Sequence, residues 1–148
     1  MADFSQFQFW WRWGVIRDSH GQFQACFAAR QAFISSPLHI ELVAMQKGLH
    51  LVHALQLQSV SIESDCLMIV QAVNALACDL SSLGVLVHDI RSLVSSIQDY
   101  KVVYAPRQAN RVAHRLASFS YEDNVTRDWY VYAPEFIQDA LMYDMRTH

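Results

Sequence analysis

Asp65 stands where a strand pattern gives way to a helix pattern. From Val60 to Ser64 apolar and polar residues alternate, with Val60 and Ile62 on one side and Ser61 and Glu63 on the other. Past Asp65 the spacing turns helical: Leu67, Val70 and Leu76 fall on one stripe, with Ile69 and Val73 beside it. A carboxylate at the C-terminal end of a strand, opening a helix, sits where open α/β sheets hold ligands or metal ions. The plainer role is capping. Ser64 or Asp65 can accept a hydrogen bond from the first helical amides, and an acid suits the partly positive N-terminus. A second acid, Glu41, falls in the first turn of an earlier helix pattern, where the helix dipole alone favours it by about 0.3–1 kcal/mol. His50 and His53 on that helix are spaced i, i+3 and could clasp a metal. With no third ligand near them in sequence, a solvated helix face accounts for them better.

Charge is unevenly spread. The formal net charge is −3, so the whole molecule is not an electrostatic nucleic-acid binder. Lys101–Ser118 carries Lys101, Arg107, Arg111 and Arg115 and no acid, a local +4; Tyr121–His148 holds six acids against Arg127 and Arg146, a local −4. A basic stripe and an acidic tail therefore adjoin. At the other end, Phe7, Phe9, Trp11 and Trp13 share one face of an extended segment. Interleaved with Arg12, they could stack bases. Aromatics favour strands in any case, and a strand burying an aromatic face explains them as well.

These residues need a folded frame, and the composition provides one. The 148 residues are 53% hydrophobic and 17% charged, which suits one globular domain and argues against disorder. No apolar run reaches the ~18 residues of a membrane span. Cys26, Cys66 and Cys78 are an odd count without a C-x-x-C pair, so neither a disulfide framework nor a zinc knuckle is expected. A reducing intracellular compartment, nucleus or cytoplasm, fits that usage.

The elements follow in order. The aromatic segment continues extended through Gly14–Asp18 to a turn at Ser19-His20-Gly21, and Gln22–Arg30 returns as a strand. Ser35-Ser36-Pro37 starts a helix that runs to about Ala54, with Leu38, Leu42, Met45, Leu49, Val52 and Leu55 as its buried stripe. After the Ser59–Leu76 unit comes a helix over Gly84–Ile97, with Val87, Ile90, Leu93 and Ile97 on one side. Lys101–Tyr104 is a short strand, Ala105-Pro106 a break, and Ala109–Phe119 a compact helix. Ala133-Pro134 restarts a tail helix over 134–145. The order β-β-α-β-α-α-β-α plus a tail predicts a mixed sheet with helices on both faces.

That order, with these residues, resembles the type 1 ribonuclease H domain, above all the reverse-transcriptase-like group of plant retroelements. The matching pieces are GVIRDSHG at 14–21, HIELVAMQKGLHLV at 39–52, SIESD at 61–65, APRQANRVAHRLAS at 105–118 and WYVYAP at 129–134. They extend over about residues 14–144, and their order and spacing carry the resemblance, since each alone is unspecific. The resemblance implies one domain over 1–148 with a five-stranded mixed sheet, its first strand abbreviated here. It implies hydrolysis of the RNA strand of RNA–DNA hybrids by four carboxylates holding two Mg²⁺ ions, with Mn²⁺ as a substitute. Hard cations take oxygen ligands, and two ions about 4 Å apart can stabilise both attacking and leaving oxygens.

On the same resemblance Glu41 matches the first-helix carboxylate and Asp65 the fourth-strand carboxylate. Asp3 is the candidate for the first-strand acid, although only Met1-Ala2 precede it and no Gly, Pro or Asn turn separates it from Gly14. The last-helix position falls on His114, whose neutral imidazole is a poor Mg²⁺ ligand. Arg107, Asn110, Arg111 and Arg115 fall near the expected substrate groove, where arginines grip phosphates and polar groups meet 2′-hydroxyls. An ordinary solvated helix face, with Asn110 as its cap, accounts for the same residues. Two functions are therefore expected as alternatives. One is a metal-dependent hybrid endonuclease with Glu41, Asp65, His114 and Asp3 in its site. The other is an inactive module of the same fold that binds nucleic acid or protein. The expected partner is an RNA–DNA hybrid or another nucleic acid, without a membrane, and a monomer is the default.

Overall fold

The strand returning from the N-terminal turn organises the first part of the chain. A computed structural model describes residues 9–17, 23–32, 36–75, 82–106, 115, 127–130 and 132–147. In it β1 (Phe9–Arg17) and β2 (Phe23–Ala32) pair antiparallel, from Phe9 opposite Ala32 to Arg17 opposite Phe23. The register shifts between Ile16 and Arg17, and the turn itself lies outside the described residues. The other edge of β2 pairs antiparallel with β5 (Arg127–Tyr130), which puts Cys26 opposite Trp129 and Ala28 opposite Arg127. A strand with neighbours on both edges and cover on both faces shows a continuous apolar run rather than alternation. Ala25-Cys26-Phe27-Ala28-Ala29 is such a run, and all five are buried.

Phe27 explains Gly14. The two are cross-strand partners, and a Cβ built on Gly14 would lie 2.6 Å from Phe27 Cε1 and 2.8 Å from Cζ. The ring is fully buried, so making room for a methyl means pressing it against its packed neighbours. Gly14→Ala is therefore expected to lower stability by about 1–3 kcal/mol, the usual cost of overpacking. Urea unfolding of the variant measures it, and an unchanged midpoint would show that the ring has room to move.

The end of the chain closes the core on the Cys26 side. Pro134 leads into a single 3-10 turn, Glu135–Ile137, which becomes α4 (Gln138–Thr147). Ile137, Ala140 and Leu141 are buried against Cys26, with Phe23, Trp129, Ala133 and Phe136 packed around them. Trp129 and Phe136 meet edge to face, with centroids 5.9 Å apart. Burial, and secondarily the charge of Asp128, pushes the Cys26 thiol up to about 12, so this cysteine stays a protonated core residue at neutral pH.

A second group of elements carries the acids. α1 (Pro37–Ala54) starts under a Ser36 cap, whose Oγ accepts from the His39 amide at 3.1 Å. Its C-terminus closes with Gln56 at φ 56°, the Leu57 amide bonding Val52 O and the Gln56 amide bonding His53 O. That is a Schellman motif with glutamine in the left-handed position. It turns the chain into β3 (Ser59–Ser64), which pairs parallel and in register with β4 (Asp99–Tyr104). Between them run α2 (Leu67–Asn74) and α3 (Gly84–Ser95). Ile69, Val70, Val73, Val87, Ile90, Val94 and Val102 are buried. Arg91 on α3 donates from Nε to Ala72 O at 3.0 Å, and Asn74 Nδ2 donates to Val102 O at 2.9 Å.

These elements fall into two compact units, Met1–Ile40 with Ala109–His148 and Glu41–Gln108. The described strands form a three-stranded sheet in the order β1-β2-β5 and a separate two-stranded parallel sheet, β3-β4. The single five-stranded mixed sheet expected from the sequence is not seen among them. No described strand pairs with both β1 and β3, and Asp3 with its neighbours lies outside the described residues. The stripes also need adjusting. Leu67 is exposed in the first turn of α2, while Ile40 and Leu51 join the buried set of α1. No helix among the described residues is long and apolar enough to cross a membrane.

Candidate active site

Asp65 occupies a bend between β3 and α2, and four hydrogen bonds fix that bend. The Ala105 amide donates to Ser64 O at 3.0 Å, extending the β3–β4 ladder to the last strand residue. Ser64 Oγ accepts from the Cys66 amide at 3.1 Å. Cys66 O then accepts from the Ile69 and Val70 amides at 3.1 and 3.2 Å, which makes Cys66 the N-cap residue of α2, without a side-chain cap. The two capping candidates are thereby separated. Ser64 serves the local amide, and Asp65 stands between strand and helix as a half-buried carboxylate. Its place is the carboxyl end of a parallel strand pair, the position where such sheets present ligand-binding groups.

Glu41 corrects one expectation. α1 begins at Pro37 and has no acid in its first turn, so Glu41 opens the second. The dipole effect falls off within the first turn, which weakens the explanation of Glu41 as a dipole-pairing residue. It is half-buried and belongs to the same unit as Asp65. The described residues thus supply two carboxylates with the hard oxygen donors that Mg²⁺ prefers. Among the described residues no three His, Cys, Asp or Glu side chains gather closely enough to hold a metal ion. Asp3, His114, Arg107, Asn110 and Arg111 all lie outside the described residues.

Arg115 is described, in the unit that contains the tail. Its Nη1 donates to Asp139 Oδ1 at 3.0 Å and to Phe136 O at 2.9 Å, and its Nη2 donates to Asp139 Oδ2 at 2.8 Å. This two-pronged fork holds the Asp139 carboxyl below its usual range, chiefly through the Arg115 hydrogen bond. The neighbouring +4 and −4 segments of the sequence signalled such a pairing, though not which residues would meet. Of the spaced histidines, His53 places Nε2 3.1 Å from Leu93 O and 3.0 Å from Ser96 Oγ, which joins the end of α1 to the end of α3. His50 is exposed.

Comparison with known proteins gives a consistent result. A sequence model of the reverse transcriptase-like family matches residues 13–120. RNase H1 from the halophilic archaeon Halobacterium salinarum has a similar fold, with a TM-score of 0.68 at 14% identity over 78% of this chain and 96% of that one. The N-terminal RNase H domain of a Mycobacterium tuberculosis protein, determined as a fusion with maltose-binding protein, gives a TM-score of 0.56 at 15% identity, covering 78% and 92%. No curated protein matches. At such low identities the likeness speaks for the fold, which is ribonuclease H-like.

Proposed function

The chain belongs to the reverse transcriptase-like family, and from that membership we propose that it is a ribonuclease H-type domain of plant retroelement descent that hydrolyses the RNA strand of RNA–DNA hybrids. The observation that carries this reading is the placement of Asp65 at the carboxyl end of the β3–β4 pair, with Ser64 serving the Cys66 amide. Glu41 and Asp65 would hold Mg²⁺, or Mn²⁺ in its stead, with Asp3 as a third carboxylate and His114 completing the site. A bound cation would supply Lewis-acid stabilisation of charge on the phosphate at Glu41 and Asp65. The chain's own part is to hold one acid on α1 and the other at the hydrogen-bonded bend between β3 and α2, so that each is placed before substrate arrives. Arg107, Asn110, Arg111 and Arg115 would meet the hybrid backbone. Strand-specific labelling tests the proposal: in Mg²⁺ the RNA strand of a hybrid is cut, the DNA strand stays whole, and EDTA stops the reaction. Cutting of both strands, or cutting that continues in EDTA, would contradict it.

His114, whose neutral imidazole is a poor Mg²⁺ ligand, favours one alternative, a module that binds hybrids without cutting them. It differs from the enzyme in leaving both strands intact while binding with an affinity that falls as salt rises. In either case Asp139 competes with phosphate for Arg115. The pair is exposed and screened by salt, so Asp139→Asn is expected to tighten hybrid binding by no more than about fivefold at low salt. Fluorescence anisotropy measures this. The gain should vanish when Arg115→Ala is added, and a gain that survives would locate the effect elsewhere.

A further inference from the structure

Tyr104 is the last residue of β4 and the in-register partner of Ser64, so its side chain leaves the same sheet face one strand away from the Asp65 bend. Adjacent strands are ~4.8 Å apart, and the Ala105 amide bond to Ser64 O fixes the two strand ends together. Tyr104 is nevertheless 51% exposed. An aromatic ring that the fold holds in place at the backbone, yet leaves in solvent at the strand end that leads into the Asp65 bend, offers a flat apolar surface where a nucleotide would lie. Tyr100 provides an internal comparison. It shares the strand and the face and is 43% exposed, but sits four residues back, ~13 Å from the acid end.

We propose that Tyr104 is a substrate-positioning residue, its ring packing against a sugar of the nucleic-acid strand that lies across the Asp65 end of the sheet. This rests on the nucleic-acid reading above and adds a contact to it. The chemistry is complementary. A carboxylate at this end repels phosphates unless cations intervene, whereas the ribose face carries no charge and can pack on a ring. The ring contributes to binding, and the hydroxyl is not required.

The test measures hybrid affinity by fluorescence anisotropy in wild type, Tyr104→Ala, Tyr104→Phe and Tyr100→Ala, with thermal midpoints of all four. Tyr104→Ala is expected to weaken binding about fivefold to tenfold, within the range of single aromatic contacts to nucleic acid. Tyr104→Phe and Tyr100→Ala should stay within twofold of wild type. Where cleavage is measured, Tyr104→Ala should raise KM by a similar factor with little change in kcat, a split that a misplaced Asp65 would not produce. Unchanged affinity in Tyr104→Ala, or Phe behaving as Ala, overturns the inference while leaving the nuclease reading intact. An equal loss in Tyr100→Ala also overturns it, since the effect would then follow the whole strand. A wild type that neither binds nor cuts the hybrid removes the nucleic-acid reading and this inference together.

Discussion

Asp65→Asn and Glu41→Gln should each lower cleavage of an RNA–DNA hybrid by at least ~100-fold, equivalent to about 2.7 kcal/mol in the barrier. Each substitution keeps the shape of the side chain and removes its charge, so the loss reports on the carboxylate rather than on packing. Both residues are half-buried at the ends or turns of regular elements, and neither change leaves a cavity. Thermal midpoints should therefore stay close to wild type. His50→Gln, on the exposed face of the same helix as Glu41, is the control and should leave activity unchanged. Full activity in either acid variant would remove that residue from the site.

The second large effect concerns stability. Ile137 is 0% exposed and packs in the cluster with Cys26, Ala140 and Leu141. Ile137→Ala removes its branched side chain from a tight environment and is expected to cost about 2–5 kcal/mol. Tyr132→Ala, five residues earlier and 83% exposed, should change stability by less than ~0.5 kcal/mol. Urea unfolding of the two variants separates a tail that completes the core from one that merely follows it. A cost below about 1 kcal/mol for Ile137→Ala would mean that α4 adds little to the core around Cys26.

Local patterns made some of these features legible in the sequence. The Ser36-Pro37 start, the end of α1 near Ala54 and the passage from β3 to α2 at Asp65 each follow from caps or from a change of period within a few residues. Long-range pairing left weaker traces. Arg127–Tyr130 is too short to show alternation, so its addition to the edge of β2 was not foreseen. The buried run of Ala25–Ala29 was read as a strand, but its central position depends on β5. The meeting of Arg115 and Asp139, 24 residues apart, was visible only as opposite charge density. Leu67 fits the apolar stripe of α2 by spacing yet is exposed, while Ile69 and Val70 of the same turn are the residues that turn inward. Glu41 and Asp65 stand out as candidates through motif resemblance more than through period. Tyr104 gave no signal, because its significance comes from register with Ser64 and not from neighbours in the chain.

The proposed cation site at Glu41 and Asp65 is open to direct measurement by Mn²⁺ binding followed with electron paramagnetic resonance. Wild type should deplete the free Mn²⁺ signal in a saturable way, and Asp65→Asn and Glu41→Gln should each abolish or strongly weaken that uptake while remaining folded. Saturable binding that is the same in all three proteins would place the metal elsewhere and contradict the account.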